Sequence, residues 1–202
     1  MTKKDLVADL EYASQIAKDG ADTPLFGGPI GLMWGIMLTL VLGYQYLVLS
    51  GTINMPEITL MFAWVAYGLI GGIGSTVLGK KIDQKPGANS VANRVEQYVW
   101  TMFVGALCAI LVGVILNMIA KNGDQTLWNS VMVFAFAGQG MAYGVVAKVT
   151  KMTLLHVTSF VSFTFAAIAM MLVNTPLVYL IGSFGCFLTI VIPSLILMQK
   201  AR

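Results

Sequence analysis

Six uncharged apolar runs, at about residues 29–49, 58–78, 98–119, 127–147, 152–173 and 177–198, alternate with short polar segments. Each is about 20 residues long, and a helix rising 1.5 Å per residue then crosses a hydrocarbon layer roughly 30 Å thick. No Asp, Glu, Lys or Arg interrupts any run. The pattern predicts an all-α, polytopic membrane protein of six transmembrane helices. Residues 1–24 form a separate lead-in and residues 25–202 the bundle.

Small residues recur every four positions inside the runs. Gly27, Gly31, Gly35, Thr39 and Gly43 do so on the first, and Gly71, Ser75 and Gly79 on the second. Gly105, Ala109, Gly113 and Asn117 repeat the spacing on the third, and Gly140 and Gly144 on the fourth. Lipid tails are as apolar as leucine, so burial of apolar side chains does not drive helices together in a bilayer. Close backbone approach and interhelical hydrogen bonds do. These ladders are therefore expected to be packing faces, within one chain first and between copies second.

Few polar side chains lie inside the runs. Gln45, Asn117 and Gln139 are the amides expected at depth. Gln139, in the stretch FAGQGMAYG, lies about twelve residues from the outer end of its helix, roughly 18 Å deep. An unpaired amide there is costly. Its glycine neighbours are expected to let another backbone approach, making Gln139 an interhelical hydrogen-bonding group. The competing reading is a polar contact for a solute, but a lone amide without a nearby charge makes a poor transport site.

Charge changes the picture by giving the helices a direction. Lys3, Lys4 and Lys18 precede the first run; Lys80, Lys81, Lys85 and Arg94 separate the second from the third. Lys148 and Lys151 lie between the fourth and fifth, and Lys200 and Arg202 follow the sixth. The other three loops hold only Lys121. The positive-inside rule makes the basic side cytoplasmic, with both termini inside. The net charge of +3 is thus a topology signal, and nucleic acid is not an expected partner. The opposite loops run to about eight, seven and three residues, too short for a folded domain, so a soluble partner must bind the cytoplasmic face.

The segment DLVADLEYASQIAKD before the first run carries acids in place of a short basic leader, so that run is expected to be retained rather than cleaved. Leu6, Leu10, Ala13 and Ala17 recur at helical spacing and predict a cytoplasmic amphipathic helix over about 3–18. It is expected to lie against the inner leaflet or the bundle, the alternative being a docking element for another protein. Residues 1–24 hold three basic and five acidic side chains, residues 80–97 four and two. The two segments are expected to pair. In the longer one, Pro86 and Gly87 break the chain and Asn89 or Ser90 is expected to cap the third helix.

Composition agrees with the pattern: 57% of the 202 residues are apolar and 10% charged, where a soluble domain carries roughly a quarter charged. Candidate chemistry is sparse. Cys108 and Cys186 reach similar depth, and with thirteen methionines they raise a soft-sulfur Cu(I) site. Buried cysteine is more commonly a small packing residue, so no metal or cofactor is expected. His156 is the only histidine, near a boundary, and it forms no protease pair with Ser75. Glu57 and Glu96 sit at helix ends, where the helix dipole accounts for them. Trp34, Trp100 and Trp128 read as interfacial anchors and the deeper Trp64 as a packing residue.

The runs also group as three hairpins, 1–2, 3–4 and 5–6, with Trp34 and Trp100 opening the first two. An inverted three-plus-three repeat of the kind common in carriers finds no support. Leu10-Glu11-Tyr12, Pro24 to Gly28 and Trp34-Gly35 resemble a set of small, uncharacterised bacterial six-span membrane proteins whose members often lie beside winged-helix regulators. Where those proteins have arginine after the paired glycines, this chain has Pro29. The resemblance covers about the first 35 residues and implies a bacterial inner-membrane protein in an accessory or regulatory role. The expected function is accordingly non-catalytic, through helix packing and the cytoplasmic face. The alternative is a small transporter or channel for an uncharged or lipophilic solute.

Overall fold

A computed structural model describes residues 25–121 and 124–200. Its six long helices are each long and apolar enough to cross a membrane: α1 (Gly28–Leu49), α2 (Ile58–Asp83), α3 (Val91–Lys121), α4 (Gln125–Thr150), α5 (Thr153–Met171) and α6 (Leu177–Lys200). The expected amphipathic helix over 3–18, and the pairing of residues 1–24 with 80–97, lie outside the described residues.

The helices follow the apolar runs but overshoot them at the basic end. At 31 residues α3 is about 46 Å long, and its first two turns carry Asn93, Arg94, Glu96 and Gln97. Hydropathy marks only the stretch able to sit in hydrocarbon; backbone hydrogen bonding carries the helix further. Local chemistry sets the ends. Pro29 occupies the first turn of α1, where its missing N–H has no helical partner to lose. Gly51 and Gly87 take positive φ in the turns after α1 and α2. Asp124 caps α4 by accepting from Thr126 N at 2.9 Å, and Ser90 Oγ accepts from Asn93 N at 3.3 Å at the start of α3. Of the two expected caps for α3, Ser90 therefore makes the bond.

One helix changes pitch. Residues Phe187–Val191 of α6 form a π turn in which Ile192 N–H bonds the Phe187 carbonyl, five residues back. Pro193 explains it: the ring has no N–H for the Thr189 carbonyl and would collide with it in a regular α-helix. Widening the turn relieves the clash.

The most extensive contacts join α4 to α5 and α1 to α6; among the described helices, α2 packs on α1 alone and α3 on α4 alone. The three hairpins thus describe connectivity, and the tightest unions cross between them. Consecutive in sequence, α2 and α3 do not touch. Both expose long rows of apolar side chains, among them Phe62, Leu69 and Ile73 on α2 and Met102, Val112 and Leu116 on α3. Two apolar clusters fill the interior. One gathers Leu42, Phe136, Phe165, Val178 and Cys186; the other, at the basic end, gathers Leu25, Ala92, Val146, Leu155 and Leu197.

The ladder of α1 is consumed by α6. A Cβ at Gly31 would lie 2.6 Å from Ser194 Oγ, one at Gly35 2.8 Å from Ile190 Cγ2, and one at Gly43 3.3 Å from Ser183 Oγ. Gly71 lies under the Trp34 ring, leaving no room for a methyl, whereas a Cβ at Gly79 would meet nothing within 4 Å. Gly71→Ala is therefore expected to destabilise the protein by about 1–3 kcal/mol through overpacking. Gly79→Ala is expected to stabilise it by about 0.5–1 kcal/mol through helix propensity. Unfolding of both variants in detergent micelles checks the contrast; equal midpoints would refute this packing of α2 on α1.

Candidate functional site: a buried polar belt and a clasped helix start

Gln139 lies between the two apolar clusters, at 4% exposure. Its Nε2 donates to Thr189 Oγ1 of α6 at 2.7 Å and to Ser162 Oγ of α5 at 3.3 Å. Both hydroxyls pass their own protons to carbonyls one turn back, Ser162 to Thr158 at 2.8 Å and Thr189 to Gly185 at 2.7 Å. Ser159 Oγ donates to the Gly140 carbonyl at 2.6 Å, a second tie between α5 and α4. The belt thus joins three helices at one level. Its groups are amides and hydroxyls, which hold hydrogen bonds but carry no charge near neutral pH.

The flanking glycines act differently from expectation. A Cβ at Gly140 would lie 2.7 Å from the Phe163 ring of α5, and one at Gly138 2.8 Å from the Phe103 ring of α3. Aromatic rings, not a neighbouring backbone, occupy the space beside Gln139. At Gly144 the neighbour is Ser159 Oγ, 3.2 Å from a Cβ position. The sequence signal missed here lies on α5, where Thr158, Ser159 and Ser162 recur at helical spacing and mark a polar stripe. Thr189 carries no such signal.

Gln139→Leu is expected to cost only about 0.6–2 kcal/mol, because Ser162 and Thr189 keep their own carbonyl acceptors. A double-mutant cycle with Thr189→Val is expected to give a coupling of about 1 kcal/mol in reversible unfolding. Zero coupling would remove Gln139 from the role of fastener.

The second polar centre closes the basic end. Asn93 Oδ1 accepts from Phe26 N at 2.9 Å, while its Nδ2 donates to Ser90 Oγ at 2.9 Å and to the Gly87 carbonyl at 3.2 Å. One turn on, Glu96 Oε2 accepts from Gly27 N at 3.3 Å. Gly27 leaves room for this carboxylate, since a Cβ there would lie 2.6 Å from Glu96 Oε1. Above them Lys85 Nζ stands 5.0 Å from the Phe26 ring centroid. The chain leading into α1 is thereby clasped onto the start of α3, although α1 and α3 make no helix–helix contact. The helix-dipole account of Glu96 is thus corrected. It is the sixth residue of α3, buried at 8% exposure, and its carboxylate lies across Gly27. Glu57 does directly precede α2, but makes no capping bond. Asn93→Ala is expected to speed hydrogen exchange of the Phe26 amide by about tenfold, the loss of one buried hydrogen bond. Unchanged exchange would show that the clasp does not hold the segment.

The remaining candidates are spread out. Gln45 is buried and accepts from Trp64 Nε1 at 2.9 Å, and Trp34 Nε1 donates to Ser75 Oγ at 2.8 Å. Trp34 also packs edge-on against Tyr67, and Trp100 against Tyr143. Trp34 and Trp100, expected as interfacial anchors, also fasten the outer helices α2 and α3 to α1 and α4. Asn117 is half-buried on α3. Gly105 and Gly113 are exposed, with nothing within 4 Å of a Cβ at either. Cys108 is exposed on α3 and Cys186 is buried in the core, on helices that do not touch. The structure does not bring the two thiols together, and no cluster of three His, Cys, Asp or Glu side chains occurs among the described residues. Lys80, Lys81, Lys85, Arg94, Lys148 and Lys151 are all exposed. Lys80, Lys81 and Lys148 lie in last helical turns, where the dipole favours cations. Lys151 holds φ 56° in the turn after α4, a left-handed conformation that usually selects glycine. His156 is exposed.

Compared with known protein families, with curated protein sequences and with solved structures, the chain has no significant match.

Proposed function

We propose that the chain crosses a bacterial inner membrane six times with its basic end in the cytoplasm, and that it is a non-catalytic accessory or regulatory protein. It engages a partner, or a second copy of itself, through the small-residue face of α3 and the basic face beside it. The observation that carries this reading is the contrast between two ladders of the same spacing. That of α1 is filled by α6, whereas Gly105, Ala109 and Gly113 lie exposed on a helix that packs on one helix, α4, among the described residues. Where lipid is the solvent, such a face favours helix association by close approach. The polar belt supports the same reading, because both N–H donors of Gln139 are taken by side chains of the same chain.

Gly105→Leu with Gly113→Leu is the direct test. Both substitutions point away from the described bundle, so the unfolding free energy is expected to hold or to rise by about 1–2 kcal/mol through helix propensity. Recovery of a stoichiometric partner, or of the homo-oligomer, after gentle detergent extraction is expected to fall by about tenfold or more. Recovery of no partner by the wild-type protein, together with solute uptake by liposomes containing it, would replace this reading with transport.

A further inference from the structure

At the end opposite the basic face, the helix ends do not close completely. A half-open cleft of about 250 Å³ lies between the end of α1, the start of α2, the start of α4 and the α5–α6 turn. Leu49 and Pro176 form apolar walls, Asn129 and Tyr179 the floor, and Glu57 and Asn174 the polar rim. The floor is built rather than incidental. Asn129 and Tyr179 are buried at 4% and 3% exposure, the Tyr179 hydroxyl donates to Asn129 Oδ1, and Asn129 Nδ2 donates to the Val173 carbonyl at 2.7 Å. The rim is held as well, since Asn174 Oδ1 accepts from Thr126 Oγ1 at 2.9 Å.

The charge of this cleft has one sign. Glu57 contributes a carboxylate that makes no capping bond to α2. Asp124, the nearby cap of α4, adds a second acidic group at the same end, and the only basic residue in the loops here is Lys121. A ligand drawn to the cleft is therefore cationic. The rim oxygens of Glu57 and Asn174 are hydrogen-bond acceptors, which an ammonium with N–H donors can use and a fully methylated one cannot. Leu49 and Pro176 suit the methylenes next to such a nitrogen. The cleft also sits where the apolar spans end, beside exposed Ile58 on α2 and Leu177 and Leu180 on α6, so a ligand tethered to acyl chains can reach it from the side.

We propose that this cleft binds a primary ammonium group, presented by a phospholipid ethanolamine headgroup or by a free alkylamine. The carboxylate of Glu57 is the charged acceptor, Asn174 the neutral one, and the Asn129–Tyr179 pair the support that fixes the floor.

Delipidated full-length protein offered equal amounts of phosphatidylethanolamine, phosphatidylcholine and phosphatidylglycerol, with bound lipid read by native mass spectrometry, tests the assignment. Phosphatidylethanolamine is expected to be retained over both others, and Glu57→Gln to lower that retention by about tenfold, the loss of one charge-assisted hydrogen bond. Leu49→Trp, which fills the cleft without altering its charge, is expected to lower it as well. Displacement of the retained lipid by soluble ethanolamine would assign the site to a free amine, and resistance to displacement would assign it to the headgroup. Equal retention of the three lipids, or retention unchanged in both variants, would overturn the proposal; unfolding midpoints of the variants separate lost binding from lost structure.

Discussion

An amide or hydroxyl removed from water must find its partner inside the protein, and in this chain that constraint decides where the helices meet. The two apolar clusters of the interior are ordinary packing residues, which many arrangements of six greasy helices would satisfy. Gln139, Ser162 and Thr189 are met in one arrangement, with α4, α5 and α6 at a common level. The belt is worth little in free energy, about 0.6–2 kcal/mol for its central residue. Its larger effect is on specificity, since a slip of one turn between α4 and α6 would move Gln139 about 5 Å from Thr189 and leave a buried amide unpaired.

The π turn in α6 belongs to the same arrangement. Pro193 forces the helix to widen around Thr189, the residue that receives the shorter Gln139 bond. A proline that disturbs a helix in water leaves carbonyls that solvent can reach; in an apolar layer a wide turn instead redirects the bonds within the helix. The fault in α6 and the fastening of α4 thus meet at Thr189, whose hydroxyl also donates to the Gly185 carbonyl of its own helix.

The helices themselves were legible in the sequence, because hydropathy over twenty residues reports directly on burial in hydrocarbon. Their ends at the basic side were not, since nothing in an apolar count records that α3 continues two turns into polar sequence. Gln139 stood out as an amide in an apolar run, but its partners did not, because serine and threonine in membrane helices commonly bond their own backbone. The contacts of Trp34 and Trp100 were illegible for a related reason. Depth along a helix places an aromatic near a boundary, but only the neighbouring helix decides whether the ring faces headgroups or a glycine. The clasp at Asn93 and Glu96 was illegible because it joins residues 67 and 69 positions apart, and Glu96 at a helix end fits the dipole explanation equally well.

The glycine ladders carry the same lesson into function. A glycine inside a helix costs roughly 1 kcal/mol relative to alanine, and on α1 that cost is offset by the close approach of α6 at Gly31 and Gly35. On α3 no neighbour in the described chain supplies an offset at Gly105 or Gly113. Sequence spacing treats the two ladders alike, and the packing separates them. Helix α3 is nevertheless held at its basic end by the lead-in to α1 and, in its third and fourth turns, by Trp100 and Phe103 against α4, which leaves Gly105 and Gly113 facing outward. A small-residue face and a set of exposed cations on the same helix, which packs on one other helix among the described residues, form a surface suited to a second protein. That is why the proposed role is placed on α3, outside the belt that holds the bundle together.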